Sequence, residues 1–392
     1  MKTRIALTAA LTTAAAAAAM IAAVPAQAAP QQVPPGHRGN VISDRPLTGS
    51  SALPAAAVNR LVTYTSEGAN GQPIKVTGTV ALPKTPAPRG GYPVISWTHG
   101  TTGNADICAP SADTPDGPAH SYLAIGQGYL NKWVAKGYAV VQTDYEGLGT
   151  PGGHPYMHGK SAANTTIDMV RAARDLDRKV GRDWFVIGHS QGGHAALYTA
   201  AARQQPRDVR LKGAVALAPG SMTSQTPAYV KNNLPGARHA LSFLFVLMNG
   251  AQAVDPSLKV DDLLTDEAAA VLRAGRTTAC NAQIGELAAD LPVDKVFKPD
   301  ADLAPLVDFL RSQEPMGLTL KVPTLVVQGS ADTSVTTPAT DAVVADLCKQ
   351  ATGIAYNHYE GADHRSVIEA SYDDTFQYVE DLRAGRTPTT HC

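Results

Sequence analysis

The chain has 392 residues, 33 basic against 34 acidic side chains, and 44% hydrophobic residues. No run of like charge stands out, which argues against nucleic acid or an anionic membrane surface as a partner. That length and apolar content fit one sizeable buried core rather than a disordered or fibrous chain.

The first elements concern export. Lys2 and Arg4 precede a long Ala/Leu/Ile/Val run that closes on Ala26-Gln27-Ala28, the plan of a secretory signal peptide cleaved after Ala28. A retained membrane anchor is the alternative, disfavoured by the alanine-dominated run and by Pro25 so close to the cleavage pattern, so no stable membrane insertion is expected. Removing residues 1–28 takes the net charge from -1 to about −3. Residues 29–54 are rich in Pro, Gly and Ser and read as a flexible leader or one draped on the surface.

From residue 55 to 219 the pattern is that of the first part of an α/β core. Leu61 to Ser66 and Ile74 to Leu82 form a hairpin around Asn70-Gly71 and are expected to be the antiparallel edge of the sheet. Tyr92 to Thr98 reads as a strand, as do Tyr138 to Thr143 and Leu211 to Ala218, with a helix over Ser161 to Val180. This βαβ rhythm predicts a mostly parallel central sheet flanked by helices. It stops between residues 220 and 320, where Asp262 to Arg273 and Ala301 to Arg311 read as helices of an inserted cap. Within that interval Ala240 to Met248 is nearly all apolar. Phe243, Leu244 and Leu247 either line an acyl pocket and bind substrate or simply pack the cap's core. Residues 321–392 complete the core with strands over Pro323 to Gly329 and Ile354 to Tyr359.

The chemistry is carried by Trp184 to Gly193, where Phe185-Val186-Ile187 break into Gly188-His189-Ser190-Gln191-Gly192 and an alanine-rich helical run follows. A Gly-x-Ser-x-Gly turn from strand to helix holds the serine hydroxyl proud of the sheet with a helix N-terminus behind it, poised to attack a carbonyl. In this architecture the acid and the histidine follow the serine, each at the tip of a later strand. Asp332 leaves the strand ending at Gly329, and His364 sits on the loop after Tyr359. Ser190, Asp332 and His364 are therefore the candidate nucleophile, orienting acid and general base. Asp363 competes for the acid's place, although sequence neighbours rarely aim at one another. His189 is expected to point away from the nucleophile and to pack, as are His99 and His358. The backbone N–H of Gln191 is one expected oxyanion donor, and Thr101, in the small-residue loop His99-Gly100-Thr101-Thr102-Gly103, is the other; a tight turn capped by threonines is the plainer reading of that loop.

Sites of other kinds are not supported. His154 and His158 are four apart, but Pro155 and flanking glycines argue against a helical metal pair. Gly159-Lys160-Ser161 lacks a correctly spaced glycine for a phosphate loop, and Gly126-Gln127-Gly128 lacks the third glycine of a dinucleotide fingerprint. No cofactor and no metal are expected.

From about Leu61 to Tyr378 the chain resembles the α/β-hydrolases, and within them the secretory lipases of the lipase A type. Besides the elbow, Val140 to Thr150, with its Asp144-Tyr145-Glu146-Gly147 core, is similar to a site-lining loop of that group, which implies a substrate-binding role for Tyr145. The resemblance implies a secreted serine hydrolase that cleaves carboxylic esters, lipids among them, through an acyl-serine intermediate, with a small-molecule or lipid ester as its partner. A secreted peptidase, which the Gln191 elbow also suits, an acyltransferase, and a binding protein on a dead scaffold are the alternatives. Cys108, Cys280, Cys348 and Cys392 would enter an oxidising compartment and pair as two disulfides in one of three ways. Cys348 with Cys392 and Cys108 with Cys280 are favoured, tying the tail to a core helix and the oxyanion-side loop to the cap.

Overall fold

Alternation along the central strands decides the architecture. In the strand ending at the elbow, Trp184 and Val186 pack on one apolar cluster while Phe185 and Ile187 pack on another. A strand with both faces apolar must be covered on both sides, so helices have to lie above and below the sheet. The computed structural model describes residues 38–203, 206–350 and 353–392, so the expected signal peptide and the start of the leader lie outside the described residues.

Nine strands form one sheet in the order β1-β2-β3-β5-β4-β6-β7-β8-β9. They are β1 (Val41–Pro46), β2 (Ala56–Glu67), β3 (Pro73–Pro83), β4 (Tyr92–Thr98), β5 (Ala139–Thr143), β6 (Val180–His189), β7 (Arg210–Leu217), β8 (Thr324–Gly329) and β9 (Ile354–Tyr359). Pairing is antiparallel from β1 to the β3–β5 contact and parallel from β5 through β9. One face is covered by α2 (Gly159–Leu176), α3 (Gln191–Ala201) and α9 (Thr337–Gln350), the other by α1 (His120–Ala135), α10 (Ser366–Ala370) and α11 (Tyr372–Arg383). Between β7 and β8 lie α4 (Thr226–Lys231), α5 (Ala237–Val254), α6 (Asp266–Thr277), α7 (Asn281–Leu287) and α8 (Ala304–Ser312), which share an apolar cluster of their own.

Several expectations need correction. The hairpin forms as expected, with Ser66 opposite Ile74 and Gly71 at φ 77, but it is not the sheet's edge, because β1 pairs antiparallel with β2 outside it. The leader's described part is therefore built into the fold, with Leu47 and Leu53 buried behind β1. Its sequence, Val-Ile-Ser-Asp-Arg-Pro, hides this because charge and a terminal proline suit an edge strand that must not recruit another chain. Secondly, the helix expected up to Val180 stops at Leu176, since Asp177 is extended and Val180 already opens β6 beside Tyr92. The cap helices likewise begin three or four residues later than expected, α6 after a tight turn over Val260–Leu263 and α8 where Asp302 accepts from the N–H of Ala304 at 3.0 Å.

Finally, Leu244 and Leu247 are 0% and 1% exposed within the cap's own core, so neither has surface to offer a substrate. The helix buries a wide stripe from Leu244 to Ala251, and these two side chains face its neighbours; Phe243 alone of the three is partly exposed. Leu244→Ala should cost about 3 kcal/mol of stability by leaving a cavity. A thermal melt checks this, and a melting temperature equal to that of the parent would contradict it.

Both disulfides form in the favoured pairing, Cys108–Cys280 and Cys348–Cys392. The first spans 172 positions, and the cap is held to the same loop by a β-bridge between Gly103 and Cys280 and by the N–H of Asn281 donating to Thr102 O at 2.8 Å. Closing so long a loop restricts the unfolded chain strongly, and losing the bond should cost about 2–5 kcal/mol. Thermal melting of a Cys108→Ser, Cys280→Ser double variant measures this, and a melting temperature equal to that of the parent would contradict it. Among the described residues no helix is long and apolar enough to cross a membrane.

Candidate active site

The elbow exists because two backbones cross at van der Waals distance. A Cβ on Gly188 would lie 2.0 Å from Thr98 Oγ1, and one on Gly192 would lie 1.8 Å from Thr98 O, so neither position can carry a side chain. Between them Ser190 is held at φ 59 and ψ −117, a conformation that an L-residue adopts only under constraint. The constraint is visible: Ser190 N–H donates to Leu217 O at 2.9 Å, and Gly220 N–H donates to Ser190 O at 2.8 Å.

Three loops at the carboxyl ends of β6, β8 and β9 bring the candidate groups together. Ser190 Oγ lies 2.9 Å from His364 Nε2, and His364 Nδ1 lies 2.7 Å from Asp332 Oδ2. The carboxylate is fully buried, whereas the imidazole is partly exposed. Asp332 Oδ1 accepts from Ser334 N–H at 2.8 Å and Val335 N–H at 2.9 Å, which fixes the carboxylate's rotation and leaves Oδ2 for the histidine. Asp363 does something else. Its Oδ1 accepts from the N–H groups of Arg365 at 2.9 Å and Ser366 at 2.7 Å, and those bonds hold its carboxyl below the usual range. It shapes the turn that carries His364.

The expected oxyanion side is assembled around the same elbow. The N–H of Gln191 opens α3, one of the first-turn amides that a helix leaves without an internal partner. The Gln191 side chain is buried, and its Nε2 donates to His154 Nε2 at 3.0 Å. Burial pushes the His154 pKa down to about 3, which keeps that nitrogen an acceptor, while its Nδ1–H donates to Glu146 O at 2.8 Å. His154 is thus a buried anchor for the elbow. His158 caps α2 through Ser161 N–H at 3.3 Å, and among the described residues no cluster of three His, Cys, Asp or Glu side chains could hold a metal. Thr101 Oγ1 is 2.6 Å from Tyr156 Oη, which ties its loop down beside the elbow.

Tyr145 departs from its implied role of lining the site. It is 1% exposed with φ 70, and its hydroxyl donates to His99 O at 3.0 Å while its ring lies against His99. It supports the Thr101 loop from beneath. The acids beside it are saturated as well: Asp144 accepts from Thr77 Oγ1 at 2.7 Å and Ser111 N–H at 2.9 Å. Glu146 accepts from Ala69 N–H and Gln72 Nε2 at 2.9 Å and from the Ser161 hydroxyl. Burial raises the pKa of both carboxyls. Sequence reading missed these supports, together with Tyr122 on α1, whose hydroxyl meets His189 Nδ1 at 2.8 Å. Each is a contact between distant segments that no local motif marks.

Residues 120–371, well over half of the chain, match the model of the family described as serine aminopeptidase, S33. The chain belongs to this family of hydrolases. No curated protein matches it in sequence. Among solved structures it is similar to lipase A of Candida antarctica, with a TM-score of 0.77 at 18% identity over 91% of this chain and 84% of that one. It is also similar to the rice cell wall degrading esterase LipA of Xanthomonas oryzae, with a TM-score of 0.69 at 20% identity over 89% of this chain and 99% of that one. At such identities the likeness establishes the fold, an α/β-hydrolase of lipase A shape, and leaves the substrate to be argued from the site.

Proposed function

We propose that this hydrolase is secreted and cleaves carboxylic esters, acyl lipids among them, through an acyl intermediate on Ser190. The observation that carries the reading is the unbroken line from Ser190 Oγ through His364 to the buried Asp332. His364 Nε2 takes the hydroxyl proton as Ser190 Oγ attacks the ester carbon, and Asp332 stabilises the imidazolium that results. The N–H groups of Gln191 and Thr101 receive the negative oxygen of the tetrahedral intermediate. As the intermediate collapses, His364 returns the proton to the leaving alcohol. Water, deprotonated by the same nitrogen, then releases the acid and regenerates Ser190. The Ala26-Gln27-Ala28 pattern and the two disulfides support an extracellular destination.

The family's description favours a second reading, release of an N-terminal amino acid from a peptide. That reaction needs a free carboxylate to hold the substrate's ammonium group, whereas Asp144 and Glu146 already spend their oxygens on neutral donors. That engagement of the two carboxylates supports the ester reading over the peptidase one. A panel of p-nitrophenyl esters graded by acyl length, run beside aminoacyl p-nitroanilides, should show turnover of the esters. Turnover confined to the anilides would establish the peptidase instead.

A further inference from the structure

His189, inside the elbow, is fully buried, and its two ring nitrogens face opposite demands. Nε2 lies 2.5 Å from the backbone carbonyl oxygen of His364, which can only accept, so Nε2 carries the proton. In a neutral ring Nδ1 is then an acceptor, and its partner at 2.8 Å, the Tyr122 hydroxyl, must donate to it. The hydroxyl oxygen is left free to accept, and Gly100 N–H donates to it at 3.0 Å. A Cβ at Gly100 would lie 2.0 Å from the tyrosine oxygen and would push it out of this position.

We propose that Tyr122 and His189 form a positioning relay that locks the backbone of His364 to the loop bearing Thr101, setting the distance between general base and oxyanion site. The relay runs in one direction, from Gly100 N–H to Tyr122 O–H to His189 Nδ1, and from His189 Nε2–H to His364 O. Burial, with His364 and Arg365 adding to it, drives the His189 pKa far down, so the ring stays neutral and the relay keeps its polarity. Two further contacts brace it. The imidazoles of His189 and His364 lie 4.6 Å apart between centroids, and the Arg365 guanidinium sits 5.6 Å over the Tyr122 ring. Neither Tyr122 nor His189 touches the reacting atoms, so both act through His364 and Gly100.

The inference rests on the reading of Ser190, Asp332 and His364 as catalytic groups, and one experiment separates the two. Tyr122→Phe removes a single oxygen and leaves the ring, so kcat on a p-nitrophenyl ester should fall about 10- to 100-fold, as expected for a base displaced by a fraction of an ångström, with KM nearly unchanged. A merely structural tyrosine would lower the melting temperature and leave the kcat of the folded fraction, titrated with a fluorophosphonate, as it was. His189→Gln keeps a donor where Nε2 stood, whereas His189→Asn is too short to reach the His364 carbonyl. The glutamine variant should therefore retain more activity per titrated site. Wild-type kcat in Tyr122→Phe, or equal kcat in the two His189 variants, overturns the relay while Ser190→Ala remains inactive. Full activity in Ser190→Ala would instead remove the catalytic reading beneath it.

Discussion

Ser190→Ala is expected to fold as the parent does and to lose roughly 10^5- to 10^6-fold in kcat on esters, about 7–8 kcal/mol of barrier. Folding should survive because alanine keeps the Cβ that the strained turn already accommodates at φ 59, and the bonds holding the turn come from the backbone at Leu217 and Gly220. Chemistry should not survive, since no other nucleophile stands at His364 Nε2. What remains should be the roughly 10^3- to 10^4-fold over water that binding and oxyanion donors supply unaided. The assay pairs p-nitrophenyl butyrate turnover with a thermal melt, and a folded variant that still turns over like the parent ends the acyl-serine mechanism.

Asp332→Asn should cost about 10^4-fold in kcat, and the geometry says why. Ser334 N–H and Val335 N–H both donate to Oδ1, so an asparagine must place its carbonyl oxygen there and its NH2 where Oδ2 stood. That NH2 would donate to His364 Nδ1 and force the ring's proton onto Nε2, the nitrogen that has to accept from Ser190. The base would then face the nucleophile with its lone pair gone. Asp363→Asn keeps an oxygen for Arg365 and Ser366 and should change kcat about twofold or less. A reversed ranking of the two variants would mean that Asp363 is the acid.

The elbow and the strand tips were legible because their signals are local. Glycines at 188 and 192 are demanded by Thr98 packing against them, and the strand-like runs before Asp332 and His364 end where β8 and β9 end. Where two physical demands overlap in one segment, reading failed. Strand β1 carries a polar edge-strand composition that is hard to tell from a loop, and Ala240 to Met248 satisfies a buried helix and an acyl pocket equally well on paper. Packing decided the second case in favour of the core for Leu244 and Leu247. The supports around the site were illegible for another reason. Tyr122 and His189, or Gln191 and His154, meet across 67 and 37 positions, and only the assembled sheet brings them into register.

The bond between Cys108 and Cys280 also sets an order of events during synthesis. The segment that presents Thr101 is made early, but its covalent strap waits for a partner 172 positions later, at the start of α7. Asp332 and His364 come later still. A nascent chain released through β7 would hold the serine and its glycine turn and lack the base, the acid and the strap alike. With Ser190, Asp332 and His364 read as the catalytic groups, hydrolytic competence would therefore wait for β8 and β9, the last strands of the sheet to be made.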